Sequence, residues 1–358
     1  MKAICDRAAL LDSLNLVSGV VASRTPKPVL TCVKIVAEDA TLTLTGTDME
    51  VGIQLVSPRV DIEQAGEALV PAEKITQIVR ESVDATLTLE TDGDETHIRG
   101  EDSHFKVFGY PPGEFPPPPQ FEGEADFELS TEELHGLIAK TIFATARESS
   151  RYAINGVLLE RDGNKLVVVA TDGRRLALAR GECKASAEAG EATTAIVPTK
   201  ALTLVQRIFD GDEDDLVRVK IVDNQILFAS DRALLASNLV EGNFPPYKDV
   251  IPNDGDKKAT VDSELLARAV RRAALLTNEE TKGVCMAFSG EGLTLSSRAP
   301  EMGEAQINVE LAGYEGDDVE IGFNPTFVLD ALKVVHVDQV TVEMKASNKP
   351  GLIRTGPD

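Results

Sequence analysis

Tryptophan is absent from this chain, and phenylalanine and tyrosine bring the aromatic share to only 4%. A protein that holds single-stranded bases on stacked rings needs more of them than this. Cysteine occurs four times (Cys5, Cys32, Cys183, Cys285), never as CxxC and never with a histidine at zinc-site spacing. No metal centre is expected, and the cysteines read as free thiols of a reducing compartment. The histidines (His97, His104, His135, His336) are scattered singly, away from any nucleophile pattern. Glycine-rich nucleotide loops, GxSxG and HExxH are all missing, so neither a cofactor nor catalysis is indicated. No apolar run approaches the roughly 18 residues that cross a bilayer. Asp6, Arg7 and Asp12 interrupt the stretch where a secretion signal would be apolar. The expectation is a cytoplasmic protein that does not engage membranes.

What the chain does have is repetition. Residues 69–82 (LVPAEKITQIVRES), 196–209 (IVPTKALTLVQRIF) and 321–334 (IGFNPTFVLDALKV) share a β-type entry, a proline and an amphipathic helix. Pro71, Pro198 and Pro325 lie 127 residues apart in each step. That period is too long for a solenoid and is the size of a domain. Proline-rich stretches, YPPGEFPPPP at 110–119 and EGNFPPYKDVIP at 241–252, read as extended linkers. Three tandem domains follow, at 1–120, 121–252 and 253–358.

Each repeat opens with a helix whose start is signalled by a cap. Asp6 precedes the spaced apolar residues Ala9, Leu10, Leu14 and Val17. Ser130 stands three residues before Glu133 as in a capping box, and Asp262 leads Leu265, Leu266, Ala269 and Val270. Hairpins follow, as in GVLLERDGNKLVVVATDG, and Asp48 and Asp172 fall at equivalent places 124 residues apart. The class is α+β, with two helices packed on antiparallel sheets in each copy. By the same repeat, the third copy stops near the counterpart of Ile226, so its last strand is expected to be missing.

The net charge of −23 argues against nucleic acid on its face. Its distribution says more. Six helices are expected at 6–24, 71–83, 131–151, 199–211, 262–282 and 325–336. Together they carry +1, leaving −24 for everything else. Lys140, Arg147 and Arg151 share one helix face, as do Lys200 and Arg207, while Arg268, Arg271 and Arg272 oppose an apolar stripe. These faces are either simply solvated or suited to weak, sequence-blind contact with duplex phosphates. The most enzyme-like string, Asp172-Gly173-Arg174-Arg175, reads either as an anion site or as a tight turn.

Seven strings taken together resemble the bacterial DNA polymerase III beta subunit family, the DNA sliding clamps. They are SRTPKPVL (23–30), LTGTDMEV (44–51), RYAINGVLLE (151–160), VATDGRRLAL (169–178), LVEGNFPPYKDVIP (239–252), RAALLTNE (272–279) and IGFNPTFVLDAL (321–332). The resemblance implies a ring-forming clamp fold and a non-catalytic processivity factor for DNA replication. It implies a head-to-tail homodimer around double-stranded DNA, contacted without regard to sequence. It also implies a hydrophobic pocket between domains 2 and 3 for short peptides of the polymerase, the clamp loader and repair proteins. Positions matching that pocket are Ile154, Thr171, Gly173, Arg174, Arg175, Leu176, Pro245 and Val250, with Pro350 nearby, and the pocket would be incomplete without the last strand. Arg24, Arg151, Tyr152 and Lys200 match DNA-contacting positions, whereas Ala153 departs from an aromatic there. The ring interface would set Lys74, Arg99, His104 and Phe105 against Leu275, Leu276, Glu301 and Glu304 of a second copy. The alternative is a three-domain peptide-binding adaptor that never encloses DNA.

Overall fold

The computed structural model describes residues 1–22, 24–146, 153–186, 190, 192–210, 215–277 and 283–356. One plan of elements is laid down three times. The first copy runs β1 (Lys2–Asp6), α1 (Arg7–Ser18), β2 (Cys32–Glu38), β3 (Thr41–Thr47), β4 (Val51–Ser57), β5 (Val60–Gln64), β6 (Gly66–Pro71), α2 (Ala72–Glu81), β7 (Thr86–Asp92), β8 (Glu95–Arg99) and β9 (His104–Phe108). The second runs β10 (Phe127–Ser130), α3 (Thr131–Ile142), β11 (Gly156–Asp162), β12 (Lys165–Thr171), β13 (Leu176–Glu182), β14 (Lys184–Ala185), β15 (Ala192–Pro198), α4 (Thr199–Ile208), β16 (Leu216–Val222), β17 (Gln225–Ala229) and β18 (Ala233–Asn238). The third runs β19 (Lys257–Asp262), α5 (Ser263–Ala274), β20 (Val284–Ser289), β21 (Gly292–Ala299), β22 (Gly303–Val309), β23 (Gly313–Glu315), β24 (Val319–Phe323), α6 (Pro325–Lys333), β25 (Gln339–Met344) and β26 (Leu352–Arg354).

In every copy the strands sort into two sheets of matching order. One set is β5-β1-β7-β8-β9, β14-β10-β16-β17-β18 and β23-β19-β25-β26; the other is β4-β3-β2-β6, β13-β12-β11-β15 and β22-β21-β20-β24. The third copy holds no counterpart of β9 and β18 among the described residues. Between the first two copies the sheets fuse: β18 pairs antiparallel with β4, making nine continuous strands.

The chain packs as two compact units, one of Met1–Ile138, Thr145–Val169 and Ala179–Asn243, the other of Ala139–Ala144, Ala170–Leu178 and Phe244–Asp358. In the first, Leu10, Leu14 and Val17 of α1 and Ile75 and Val79 of α2 are fully buried. Gly46 on β3 admits the helix: a Cβ there would meet Val17 Cγ1 at 2.7 Å. In the second, α5 and α6 cover Val284, Met286, Phe288, Leu293 and Leu295 of the hairpin β20–β21.

The caps behave as the sequence indicates. The N–H of Ala9 donates to Asp6 Oδ1, that of Leu265 to Asp262 Oδ1 and that of Glu133 to Ser130 Oγ. The capping box at α3 is only half made, because Glu133 Oε1 instead accepts from the N–H of Glu182. Three helices are shorter than expected: α1 ends at Ser18 rather than 24, α3 at Ile142 rather than 151 and α5 at Ala274 rather than 282. After α1 and α5 the chain tightens into i→i+3 hydrogen bonds, Gly19 to Leu16 and Leu276 to Ala273 among them, which stop the helix without a glycine or proline signal at α5. The first proline-rich linker is not simply extended. Pro112–Glu114 forms a 3-10 turn, and Phe115 is buried against Cys32 and Leu69.

At their observed lengths the helices α1 to α6 carry 0, 0, −1, +2, +2 and 0, a total of +3 that leaves −26 for the rest of the chain. The contrast between helices and the remainder is larger than the sequence ranges suggested.

Candidate functional site

The loop between β12 and β13 is built by side chains that bind their own backbone. Thr171 Oγ1 donates to the carbonyl of Arg175 (2.7 Å) and accepts from the N–H of Gly173 (3.1 Å). Asp172 Oδ1 accepts from the N–H groups of Arg174 and Arg175, at 2.9 and 3.0 Å. Gly173 sits at φ +83°, a left-handed conformation suited to glycine, with open space where a Cβ would be. The loop between β3 and β4 repeats every one of these bonds. Thr47 Oγ1 donates to Val51 O and accepts from Met49 N–H, while Asp48 Oδ1 accepts from Glu50 and Val51. The equivalence of Asp48 and Asp172 read from the sequence is thus an equivalence of hydrogen-bonded turns.

The two turns are put to different uses. Arg175 is enclosed on all sides: Nε donates to Asp172 Oδ2 (3.1 Å), Nη1 to Asp330 Oδ2 (2.7 Å) and Nη2 to the carbonyl of Phe143 (2.7 Å). The rings of Phe327 and Phe143 flank the guanidinium at 4.4 and 5.4 Å. With all three guanidinium nitrogens donating and a ring on each side, Arg175 stiffens the loop and is used as a structural group. Asp172 is spent on the turn and on Arg175, so the string Asp172-Gly173-Arg174-Arg175 is a tight turn. Arg174, next to it, is exposed. Asp330, Phe143 and Phe327 were not legible as site residues, because they come from distant segments and bear no motif of their own.

In the turn of the first copy, Asp48 Oδ2 pairs with Lys200 of α4, and the carbonyl of Glu50 accepts from the N–H of Asn238 at the end of β18. Burial works to raise the Asp48 carboxyl, but Lys200 and the amides of Val51 and Glu50 outweigh it and hold the pKa below the usual value. Lys200, matched to a DNA-contacting position, is therefore held in an ion pair.

The other expected pocket residues are placed as follows. Ile154 and Thr171 are buried, Leu176 and Pro245 are half-buried, and Gly173, Arg174 and Pro350 are exposed. Val250 is 62% exposed, an aliphatic side chain left in water after a 3-10 turn at Tyr247–Asp249. Of the residues matched to DNA contacts, Arg24 is exposed, and Arg151 and Tyr152 lie outside the described residues, as does Arg147. Lys140, Arg207, Arg268, Arg271 and Arg272 are all exposed on their helices.

The expected interface residues sit on two edges. On the β8–β9 edge, Arg99 pairs with Glu90 (3.4 Å), and His97 Nδ1 lies 2.9 Å from His104 Nε2. Burial, then the charges of Arg99 and His97, lower the pKa of His104. Phe105 is 40% exposed, and Lys74 projects from α2 into solvent. On the other edge, Leu275 at the end of α5 is 75% exposed, so it does not pack within its own domain. Leu276 is half-buried, Glu301 is exposed, and Glu304 pairs with Arg298 (3.2 Å).

Among the described residues no three His, Cys, Asp or Glu side chains converge as a metal site. All four cysteines are free, and burial pushes Cys5 up to about 12 and Cys285 up to about 11, far from thiolate chemistry at neutral pH. No helix of the described residues is long and apolar enough to cross a membrane.

Comparison with known proteins agrees along the whole chain. Residues 1–119, 128–246 and 248–358 match the N-terminal, central and C-terminal domains of the DNA polymerase III beta subunit. The beta sliding clamp of Vibrio cholerae is 34% identical over 362 residues, covering 100% of this chain and 97% of the relative. That of Escherichia coli K12 is 33% identical, covering 97% and 94%. The crystal structure of the Bacillus subtilis DNA polymerase sliding clamp superimposes with a TM-score of 0.93 at 31% identity, over 100% of this chain and 96% of the other. A Pseudomonas aeruginosa sliding clamp bound to griselimycin gives 0.94 at 32%, again over 100% and 96%.

Proposed function

The chain belongs to the DNA polymerase III beta subunit family, the bacterial sliding clamps, and we propose from this that two copies close head to tail around duplex DNA. The observation that carries the reading is the edges that end their sheets among the described residues: β9 in the first copy, β22 in the third and, in the second, β13. Inside the chain the joint between the first two copies is made by β18 against β4. The first domain ends in β9, which holds the place of β18, and the third presents β22, which holds the place of β4. The first and third copies thus carry complementary halves of a joint that the chain already makes internally. Such an interface is heterologous, and with two subunits it closes.

In the ring the helices line the hole and the acidic strands and loops face outward. Helices carrying +3 inside a remainder of −26 let DNA pass while the exterior repels it. Retention then comes from topology, so tight phosphate binding is unnecessary and would impede sliding. Lys200, neutralised by Asp48, fits a weak contact of this kind.

Partner proteins dock as short peptides on the surface formed by residues 171–176 with Pro245 and Val250. The loop is pre-organised by its own hydrogen bonds, and Val250 offers apolar surface to a hydrophobic anchor. The replicative polymerase, the clamp loader and repair factors are the partners. The protein acts as a non-catalytic tether, a reading supported by Asp172 and Arg175 being consumed in structure.

The test is retention on a nicked circular duplex. A ring stays bound after loading and is released when the circle is cut to a linear form. Equal retention on both forms would mean surface binding, and the adaptor reading would replace the ring.

A further inference from the structure

The turns at 47–51 and 171–175 are built alike but differ in what takes the second oxygen of the aspartate. In the second copy Asp172 Oδ2 accepts from Arg175 Nε of its own loop (3.1 Å). The first copy has Val51 in the place of Arg175, and an aliphatic side chain has no donor to offer. Asp48 Oδ2 instead meets a group from the next copy, pairing with Lys200 Nζ of α4 across the joint that β18 makes with β4. Lys200 has no equivalent elsewhere in the repeat. It is the second residue of α4, where α2 has Glu73 and α6 has Thr326.

Resting on the ring reading above, we propose that Asp48 is a built-in counter-ion that weakens the hold of Lys200 on duplex phosphates and so leaves the protein free to slide.

Burial and bonding both favour it. The Lys200 side chain is 49% exposed and that of Asp48 only 14%, so the cation is open to solvent while its counter-ion is largely enclosed. Asp48 is also fixed in place, because its Oδ1 accepts from the N–H groups of Glu50 (2.9 Å) and Val51 (2.8 Å). A phosphate drawn to Lys200 must compete with this carboxylate and is repelled by it. The pair is neutral as a unit, so a contact there releases few counter-ions and adds little to the salt dependence of binding. Arg268 differs: it pairs at 3.5 Å with Glu264 of its own helix, where both groups are open to water and free to part. Holding the joint together does not account for the Asp48–Lys200 pair. A half-exposed ion pair adds little stability, and the joint is already zipped from Ala233 opposite Leu55 to Ser237 opposite Val51.

Binding of the full chain to a short, fluorescently labelled linear duplex, followed by anisotropy across a salt series, tests this without needing a closed ring. Asp48→Asn keeps an oxygen for the two turn amides and removes the charge. It is expected to bind more tightly at low salt and to steepen the log–log salt slope by about 0.9, an extra loss of about threefold between about 50 and about 200 mM salt. Lys200→Ala is expected to cost far more affinity in the Asp48→Asn background than in the wild type, a coupling that a merely structural aspartate would not give. Asp48→Ser, whose hydroxyl caps such a turn more weakly, is read in the same way if Asp48→Asn does not fold. Asp48→Asn that binds no more tightly than the wild type at the lowest salt, an unchanged slope, or an equal cost of Lys200→Ala in both backgrounds would overturn the proposal. Equal retention on nicked circular and linear duplex would instead overturn the ring reading, whatever the salt slopes show.

Discussion

Arg175 shows how a residue that resembles an active-site group is used as a fastener. Its guanidinium joins Asp172, Asp330 and the carbonyl of Phe143, and it lies between two phenylalanine rings. Arg175→Ala leaves two carboxylates unpaired in a half-buried setting and is expected to lower stability by about 2 kcal/mol. Urea unfolding measures this, and an unchanged midpoint would mean the enclosure contributes nothing. A second residue-scale prediction concerns His135 on α3. Its Nε2 is buried with no hydrogen-bond partner among the described residues, and burial lowers its pKa from the ordinary imidazole value, with Asp210 pulling the other way. The folded state therefore prefers neutral imidazole, while the unfolded chain takes up a proton as pH falls through the ordinary value. Stability should fall on acidification from about pH 7.5 to about pH 5.5, and less steeply in His135→Gln. Parallel pH profiles for the two proteins would remove His135 as the cause.

At the scale of elements, helix starts were legible and helix ends were not. Asp6, Ser130 and Asp262 announce their helices because a cap is a local bond between a side chain and an amide two or three residues on. At the end of α3 the N–H of Ala144 turns back to Thr141 O, and the carbonyl of Phe143 just beyond accepts from Arg175 Nη2, a residue far away in sequence. No periodicity reports such a contact. The site was readable in the same divided way: the turn of residues 171–175 follows from Thr-Asp-Gly, whereas Asp330 and the two phenylalanines that complete it do not. The exposed end of α5 supplies a further prediction. Leu275→Arg with Leu276→Arg is expected to give a folded monomer, since two unpaired charges in an apolar joint cost several kcal/mol. Sedimentation with circular dichroism checks both parts, and a persisting dimer would place these leucines outside the interface.

At the scale of the whole molecule, the threefold repeat was legible because its period survives in the prolines and in the paired aspartates Asp48 and Asp172. Which edges of the repeat are left open was not, since that requires knowing that β18 pairs with β4. The same repeat accounts for the charge pattern. Acidic residues concentrate in strands and loops, the helices are spared, and three copies multiply a small local bias into a large contrast.

The fusion of β18 to β4 also sets the two kinds of joint apart in strength. The internal joint is formed by strands of one chain, tied through a linker that Phe115 anchors to its own domain. Its partners meet at an effective concentration fixed by the tether, whatever the amount of protein present. The joint proposed between copies has no tether and depends on mass action. Two interfaces of one design would then differ in permanence, and a ring closed as proposed is expected to part at the untethered seam while the tethered joint holds.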